Sequence, residues 1–158
     1  ERLRPQVADL ALNANGDPAR FAATGLPVLP DPVADFPGPL AGILAGMIWA
    51  EGQGASHIVT AAWDTPFLPR DLVGRLVATQ SEANPIVLAG SGGHRHPTIG
   101  LWPVALRDDL AAALSDGTRK IVVWSDAHGG TTAEFAGDPD PFFNVNTPDD
   151  LRMAEAMA

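Results

Sequence analysis

The 158-residue sequence has no cysteine, which removes disulfide staples and thiolate metal sites, and with them small secreted scaffolds and zinc ribbons. It is also short of positive charge. A single lysine, Lys120, joins the arginines to make 10 basic residues against 19 acids, a formal net charge of −9. Nucleic-acid binding draws on a basic stripe that displaces counterions from phosphates, so DNA and RNA are not expected partners. The longest apolar run, from Pro39 to Glu51, is far shorter than the ~20 residues that cross a bilayer. Nothing at the N-terminus resembles a signal peptide. A cytoplasmic protein without a membrane segment is expected.

What is present fits one folded domain: 46% of residues are hydrophobic and 18% charged, enough apolar surface for a real core. The 16 glycines and 15 prolines punctuate apolar segments and form no low-complexity tract, linker or repeat. Residues 8–14 read as a strand running into the turn Asn13-Ala14-Asn15-Gly16, and residues 26–29 as a second strand closed by Pro30. Residues 39–50 form a buried helix entered through Pro39, with Gly52 and Gly54 at its end. Residues 57–62 read as a strand and 71–79 as an amphipathic helix. Residues 86–89 and 98–102 read as strands on either side of a polar turn, 91–96. Residues 105–114 are helical, 120–125 suit a strand or a helix, and 131–135 suit a strand. Thr147-Pro148-Asp149-Asp150 is a capping-box start for a last helix. This alternation predicts an α/β fold, with a mostly parallel sheet and helices on both faces. Ligands of such sheets sit beyond the carboxyl ends of the strands.

Three polar clusters lie at such ends: Asn13-Ala14-Asn15, Trp63-Asp64-Thr65-Pro66 and Asn144-Val145-Asn146. Asp64 stands just past the end of an apolar strand, where a carboxylate held by rigid backbone can hold a hard cation. Magnesium binds through one or two carboxylates plus phosphate oxygens and water. The competing role for Asp64 is to cap the turn made by Thr65 and Pro66. Gly38, Gly42 and Gly46 leave one side of a helix bare for close packing, and Gly38 at its mouth can offer N–H groups to an anion. Asn144 and Asn146, two apart, aim to one side of an extended segment; they could grip a phosphate or only shape the turn before the last helix. His94 and His96 have the same spacing but no third ligand nearby, which favours solvated loop residues over a metal pair. Arg119 and Lys120 form the only adjacent basic pair and suit a surface position. There is no Ser-His-Asp pattern or Gly-x-Ser-x-Gly elbow, and Gly90-Ser91-Gly92-Gly93 lacks the lysine of a P-loop.

The ordered set Asn13-Ala14-Asn15, Pro27-Val28 with Asp31, Gly38-Pro39-Leu40-Ala41-Gly42, Asp64-Thr65-Pro66-Phe67 with Pro69, His96-Pro97-Thr98 and Asn144-Val145-Asn146-Thr147-Pro148 resembles the molybdenum cofactor guanylyltransferase family across nearly the whole chain. The resemblance implies a three-layer Rossmann-like nucleotidyltransferase fold. It also implies transfer of GMP from GTP to molybdenum-molybdopterin, with Mg2+ as cofactor and pyrophosphate released. By matching position, Asn13, Asp31 and Gly38 would bind GTP, Asp64 would bind both GTP and the metal as the catalytic carboxylate, and Asn144 and Asn146 would lie on the molybdopterin side or help complete the metal site. Other cofactor-biosynthesis proteins and molybdoenzyme chaperones are implied partners. The family opens with a strand and a glycine-rich turn carrying an Arg and a Lys, so residues 1–158 are expected to be a single domain lacking those two pieces. Two alternatives are a sister nucleotidyltransferase using CTP or a sugar phosphate, and a non-catalytic GTP-binding or partner-binding module.

Overall fold

The computed structural model describes residues 2–32 and 38–157. Strands β1 (Leu12–Asn13) and β2 (Val28–Leu29) pair in parallel. Helix α1 (Pro39–Gly52) follows, then β3 (His57–Thr60), α2 (Leu72–Thr79), β4 (Val87–Ser91), β5 (His94–Pro103), α3 (Arg107–Ser115), α4 (Ile121–Ala127), β6 (Thr131–Glu134) and α5 (Pro148–Met157). The larger sheet has the order β3-β5-β4-β6. β5 runs antiparallel to both β3 and β4, while β6 runs parallel to β4. Thus β3, β4 and β6 point one way and only β5 opposes them.

The reversal of β5 is built at Gly92-Gly93, where the chain turns with φ of 55° and 79°. A two-residue hairpin with positive φ at both centres matches the twist of its strands, and glycine adopts it without steric cost. The predicted polar turn 91–96 is therefore a two-residue turn, with His94 and His96 already in β5. Register jumps from Leu88 opposite Gly100 to Ala89 opposite His96, a bulge that accommodates Pro97, which has no N–H to give to a ladder.

Side-chain alternation along β4 makes the layers. Leu88 faces a core shared with Leu40, Ile43, Leu44 and Met47 of α1, Leu110 and Leu114 of α3, and Ile121 and Trp124 of α4. Its neighbours Val87 and Ala89 face the opposite core, with Leu72 and Leu76 of α2, Ile99, Leu101, Phe135 and Phe142. Each fully buried Leu or Ile contributes about 1.5–3 kcal/mol from surface withdrawn from water. The segment 120–125, open between strand and helix, is helical because Ile121 and Trp124, three apart, reach the same core. The predicted strand 8–14 shortens to the two residues of β1, which pair with β2. Among the described strands β1 and β3 each pair on one side. Between them lies a groove of about 960 Å³, lined by Leu10, Leu12, Ile43, Gly46, Ile58 and Ala61 among others.

The last helix begins as its capping box requires. Asp150 N–H donates to Thr147 Oγ1 (3.1 Å), and Asp150 Oδ2 accepts the N–H of Thr147 (2.9 Å) and of Asn146 (3.0 Å). The Thr147 hydroxyl first, then the backbone N–H groups of Asn146 and Thr147, hold the Asp150 carboxyl below the usual carboxylate range.

Asp109 of α3 fastens α4. Its Oδ1 accepts Trp124 Nε1–H at 2.9 Å and lies 2.8 Å from His128 Nε2. The Trp124 hydrogen bond first, then His128, holds this carboxyl below its ordinary range. A depressed folded pKa means that the stabilisation is complete above the unfolded value, about pH 4, and drains away as pH falls through the folded one. The melting-temperature gap between wild type and Asp109→Asn is therefore expected to be widest near neutrality and to close as pH drops below about 4. Thermal melts of both proteins over that range check this, and a gap that widens in acid contradicts it.

Candidate functional site

Because β3, β4 and β6 run the same way, their carboxyl ends lie on one edge of the sheet, together with the start of β5. β3 runs out through Ala61 and Ala62 to Trp63 and Asp64, β4 ends at Ser91, and β6 leads into the segment that carries Asn144 and Asn146. Trp63 stands 92% exposed next to Asp64.

The turn at Asp64 is closed without the carboxylate. Thr65 Oγ1 donates to Ala62 O at 2.6 Å, and Asp64 O accepts Val145 N–H at 2.8 Å. Asp64 Oδ1 is buried and has no hydrogen-bond partner among the described residues. Leaving a buried carboxylate oxygen unsatisfied costs free energy, so this atom calls for a cation or donor that the described residues do not supply. Capping the turn, the competing role for Asp64, falls to Thr65 instead. The orphaned oxygen fits a magnesium ion whose remaining ligands are phosphate oxygens and water. Among the described residues no group of three or more His, Asp or Glu could form an all-protein metal cage.

The Val145 bond also brings the two distant motifs together. Asn144 and Asn146 flank Val145, both exposed, so the segment is stitched to the Asp64 turn between the two amides. Neither side-chain amide takes part in the cap of α5, which Thr147 and Asp150 make together with the backbone N–H of Asn146.

Asn13 and Asp31 meet on the other side of the groove. Asn13 Nδ2 donates to Asp31 Oδ1 (2.9 Å) and Leu29 O (3.0 Å), and Asn15 Nδ2 donates to Asp31 Oδ2 (2.7 Å). Asp31 N–H returns a bond to Asn15 Oδ1 at 2.8 Å. Asn15 is named in the Asn13-Ala14-Asn15 cluster but is assigned no binding role there, although the Asn-x-Asn spacing of residues 144–146 recurs at 13–15. Gly42 explains how Asn13 fits: a Cβ there would stand 2.3 Å from Asn13 Oδ1, so a larger residue would push the amide from its present place over α1. Gly38 is the N-cap of α1 with φ of 143°. The groove runs from Asn13 and Leu29 past Gly42 to residues 60–63, Thr65 and Pro66.

Of the other candidates His96 lies differently from expectation, while Arg119 and Lys120 are exposed, as expected. His96 is no solvated loop residue. Its Nε2 is 2.8 Å from Ser91 Oγ, its ring lies 4.8 Å from that of Phe142, and burial lowers its pKa against the opposing pull of Asp140. Arg119 Nη1 donates to Leu114 O and Thr118 O, both at 2.9 Å, closing the end of α3. Lys120 is the N-cap residue of α4.

Residues 1–129 match the family described as MobA-like NTP transferase domain. A molybdenum cofactor guanylyltransferase of Bradyrhizobium sp. (strain ORS 278) is 53% identical over 99% of this chain and 76% of its own length. One from Cereibacter sphaeroides (strain ATCC 17029 / ATH 2.4.9) is 49% identical over 99% of this chain and 79% of its own. The crystal structure of molybdopterin-guanine dinucleotide biosynthesis protein A from Archaeoglobus fulgidus superposes with a TM-score of 0.70 at 20% identity, covering 98% of this chain and 82% of that one. A protein from Aquifex aeolicus VF5 superposes at 0.75 with 16% identity, over 89% of this chain and 72% of that one.

Proposed function

The chain belongs to the molybdenum cofactor guanylyltransferases within the MobA-like NTP transferases, and from that premise we propose how its own residues carry out GMP transfer to molybdopterin. A phosphate oxygen of molybdopterin attacks the α-phosphorus of GTP, the bond from the α-phosphorus to the oxygen bridging to the β-phosphate breaks, and pyrophosphate leaves with that electron pair. The reaction is positioning and charge neutralisation around an in-line displacement. It needs no protein nucleophile, in keeping with a chain that has no cysteine.

Asp64 carries the reading. Its Oδ1, buried and unpartnered among the described residues, would hold a divalent cation, which we take to be magnesium. When bound, such an ion offsets negative charge on the triphosphate. Asn13 and Asp31 would face the nucleotide. Each oxygen of the Asp31 carboxylate accepts one asparagine amide and keeps a lone pair for an N–H or O–H of the ligand, and Gly38 would offer its N–H. Asn144 and Asn146 would grip the acceptor with amides that can donate to phosphate or accept from a pterin edge.

No helix among the described residues is long and apolar enough to cross a membrane. The reading places the enzyme in the cytoplasm and makes cofactor-biosynthesis proteins and molybdoenzyme chaperones its expected protein contacts.

Competition binding tests the nucleotide assignment. Labelled GTP bound with magnesium should be displaced by unlabelled GTP and far less by ATP or CTP. Equal displacement by all three contradicts guanine selectivity, and preferential displacement by CTP points to a cytidylyl-transferring relative.

A further inference from the structure

The segment that carries Asn144 and Asn146 is tied down at two places, and only one of them is at Asp64. The other is Ser91, the last residue of β4 and 4% exposed. Its Oγ lies 2.9 and 3.1 Å from the two carboxylate oxygens of Asp140 and 2.8 Å from His96 Nε2. A hydroxyl has one hydrogen and an ionised carboxylate only accepts. Ser91 therefore donates to Asp140, and its oxygen accepts the Nε2–H of His96, which fixes the imidazole tautomer. This order differs from a nucleophilic triad, in which the imidazole takes the hydroxyl proton.

Asp140 passes the anchorage along the chain. Its Oδ1 accepts Phe142 N–H (2.9 Å) and its carbonyl accepts Phe143 N–H (3.1 Å). Phe142, 2% exposed, packs on His96 at 4.8 Å and edge-on to Phe135 at 5.3 Å. The Phe143 ring lies 6.4 Å from that of Phe67, on the chain leaving Asp64. Asn144 comes next, and Val145 N–H closes on Asp64 O at 2.8 Å. From Ser91 to Asp64 the segment is held by consecutive bonds and ring contacts, and Asn144 and Asn146 lie at the far end of that run.

We infer that Ser91 is a positioning residue for guanylyl transfer: by holding Asp140 it sets where Asn144 and Asn146 stand relative to Asp64, and so governs use of the acceptor rather than of GTP. The inference rests on the proposed acceptor role of the asparagine pair. Ser91 itself touches no reacting atom.

Steady-state kinetics of Ser91→Ala, Asp140→Ala, Asp140→Asn and Asn144→Ala, with GTP and molybdopterin varied separately and a melting curve for each protein, test it. Ser91→Ala and Asp140→Ala should each raise KM for molybdopterin about tenfold, the effect of one lost hydrogen bond to a charged group, and leave KM for GTP within about twofold. Asp140→Asn keeps an oxygen that accepts from Ser91 and Phe142 N–H, and should restore most of the acceptor affinity lost in Asp140→Ala. An unchanged acceptor KM in folded Ser91→Ala and Asp140→Ala, beside a raised one in Asn144→Ala, overturns the positioning role alone. An unchanged acceptor KM in Asn144→Ala overturns the acceptor role of the pair and this inference with it. Equal loss for both substrates, tracking a lowered melting temperature and not restored by Asp140→Asn, also overturns it.

Discussion

Asp64→Asn should cut guanylyl transfer about a thousandfold or more, as expected if a metal's charge stabilisation of several kcal/mol is lost at 1.36 kcal/mol per decade. The amide keeps the shape of the carboxylate and removes its charge. Stability should hold, because Asp64 Oδ1 has no hydrogen-bond partner among the described residues to lose. The bond that positions the turn, Val145 N–H to Asp64 O, uses backbone only. Pyrophosphate release measured beside a thermal melt separates the two effects. Near-normal transfer by the variant would show that the metal is held elsewhere, and a collapsed melt would show that the carboxylate is structural after all.

Asn144→Ala and Asn146→Ala should each weaken use of molybdopterin by about ten- to a hundredfold, the cost of losing a hydrogen bond to a charged group, ~1.5–3 kcal/mol. GTP dependence should change little. The competing role, shaping the turn before α5, forecasts a loss of stability that impairs both substrates equally. The structure weighs against that role because the α5 cap is made by Thr147 and Asp150, so both variants should melt close to wild type. Separate titration of the two substrates decides the matter. A pure loss of stability, with unchanged kinetics in the surviving folded protein, would defeat the acceptor assignment.

Local chemistry in the sequence pointed to several parts of this candidate site. Asp64 stood out because it lies just past the end of an apolar strand. The start of α5 was visible because Thr147 and Asp150 have capping-box spacing. The ordered motifs pointed to the family before any geometry was in view. Contacts made across the fold were not legible in this way. Ser91 and Asp140 are 49 residues apart, and only the hairpin at Gly92-Gly93 and the return from β6 bring them together. His94 and His96 were expected in a loop because the polar run 91–96 hid a turn of two glycines, after which β5 resumes at His94. The strand at residues 8–14 was overextended because an apolar run implies burial, while a strand also needs a partner at each rung, and β1 has one at two residues only. The bond from Val145 to Asp64 O is a backbone contact, indifferent to side-chain identity and so absent from any motif.

On the proposed reading, this chain joins GMP to molybdopterin at the edge where Asp64 meets residues 144–146. Mass analysis of the pterin product, after incubation of the protein with GTP, magnesium and molybdopterin, tests it most directly. The expected result is molybdopterin carrying one GMP, formed one-for-one with pyrophosphate, dependent on both substrates and on the divalent metal, and missing with Asp64→Asn. Pyrophosphate released without molybdopterin, a product carrying CMP when CTP is supplied in place of GTP, or undiminished product from Asp64→Asn would contradict it.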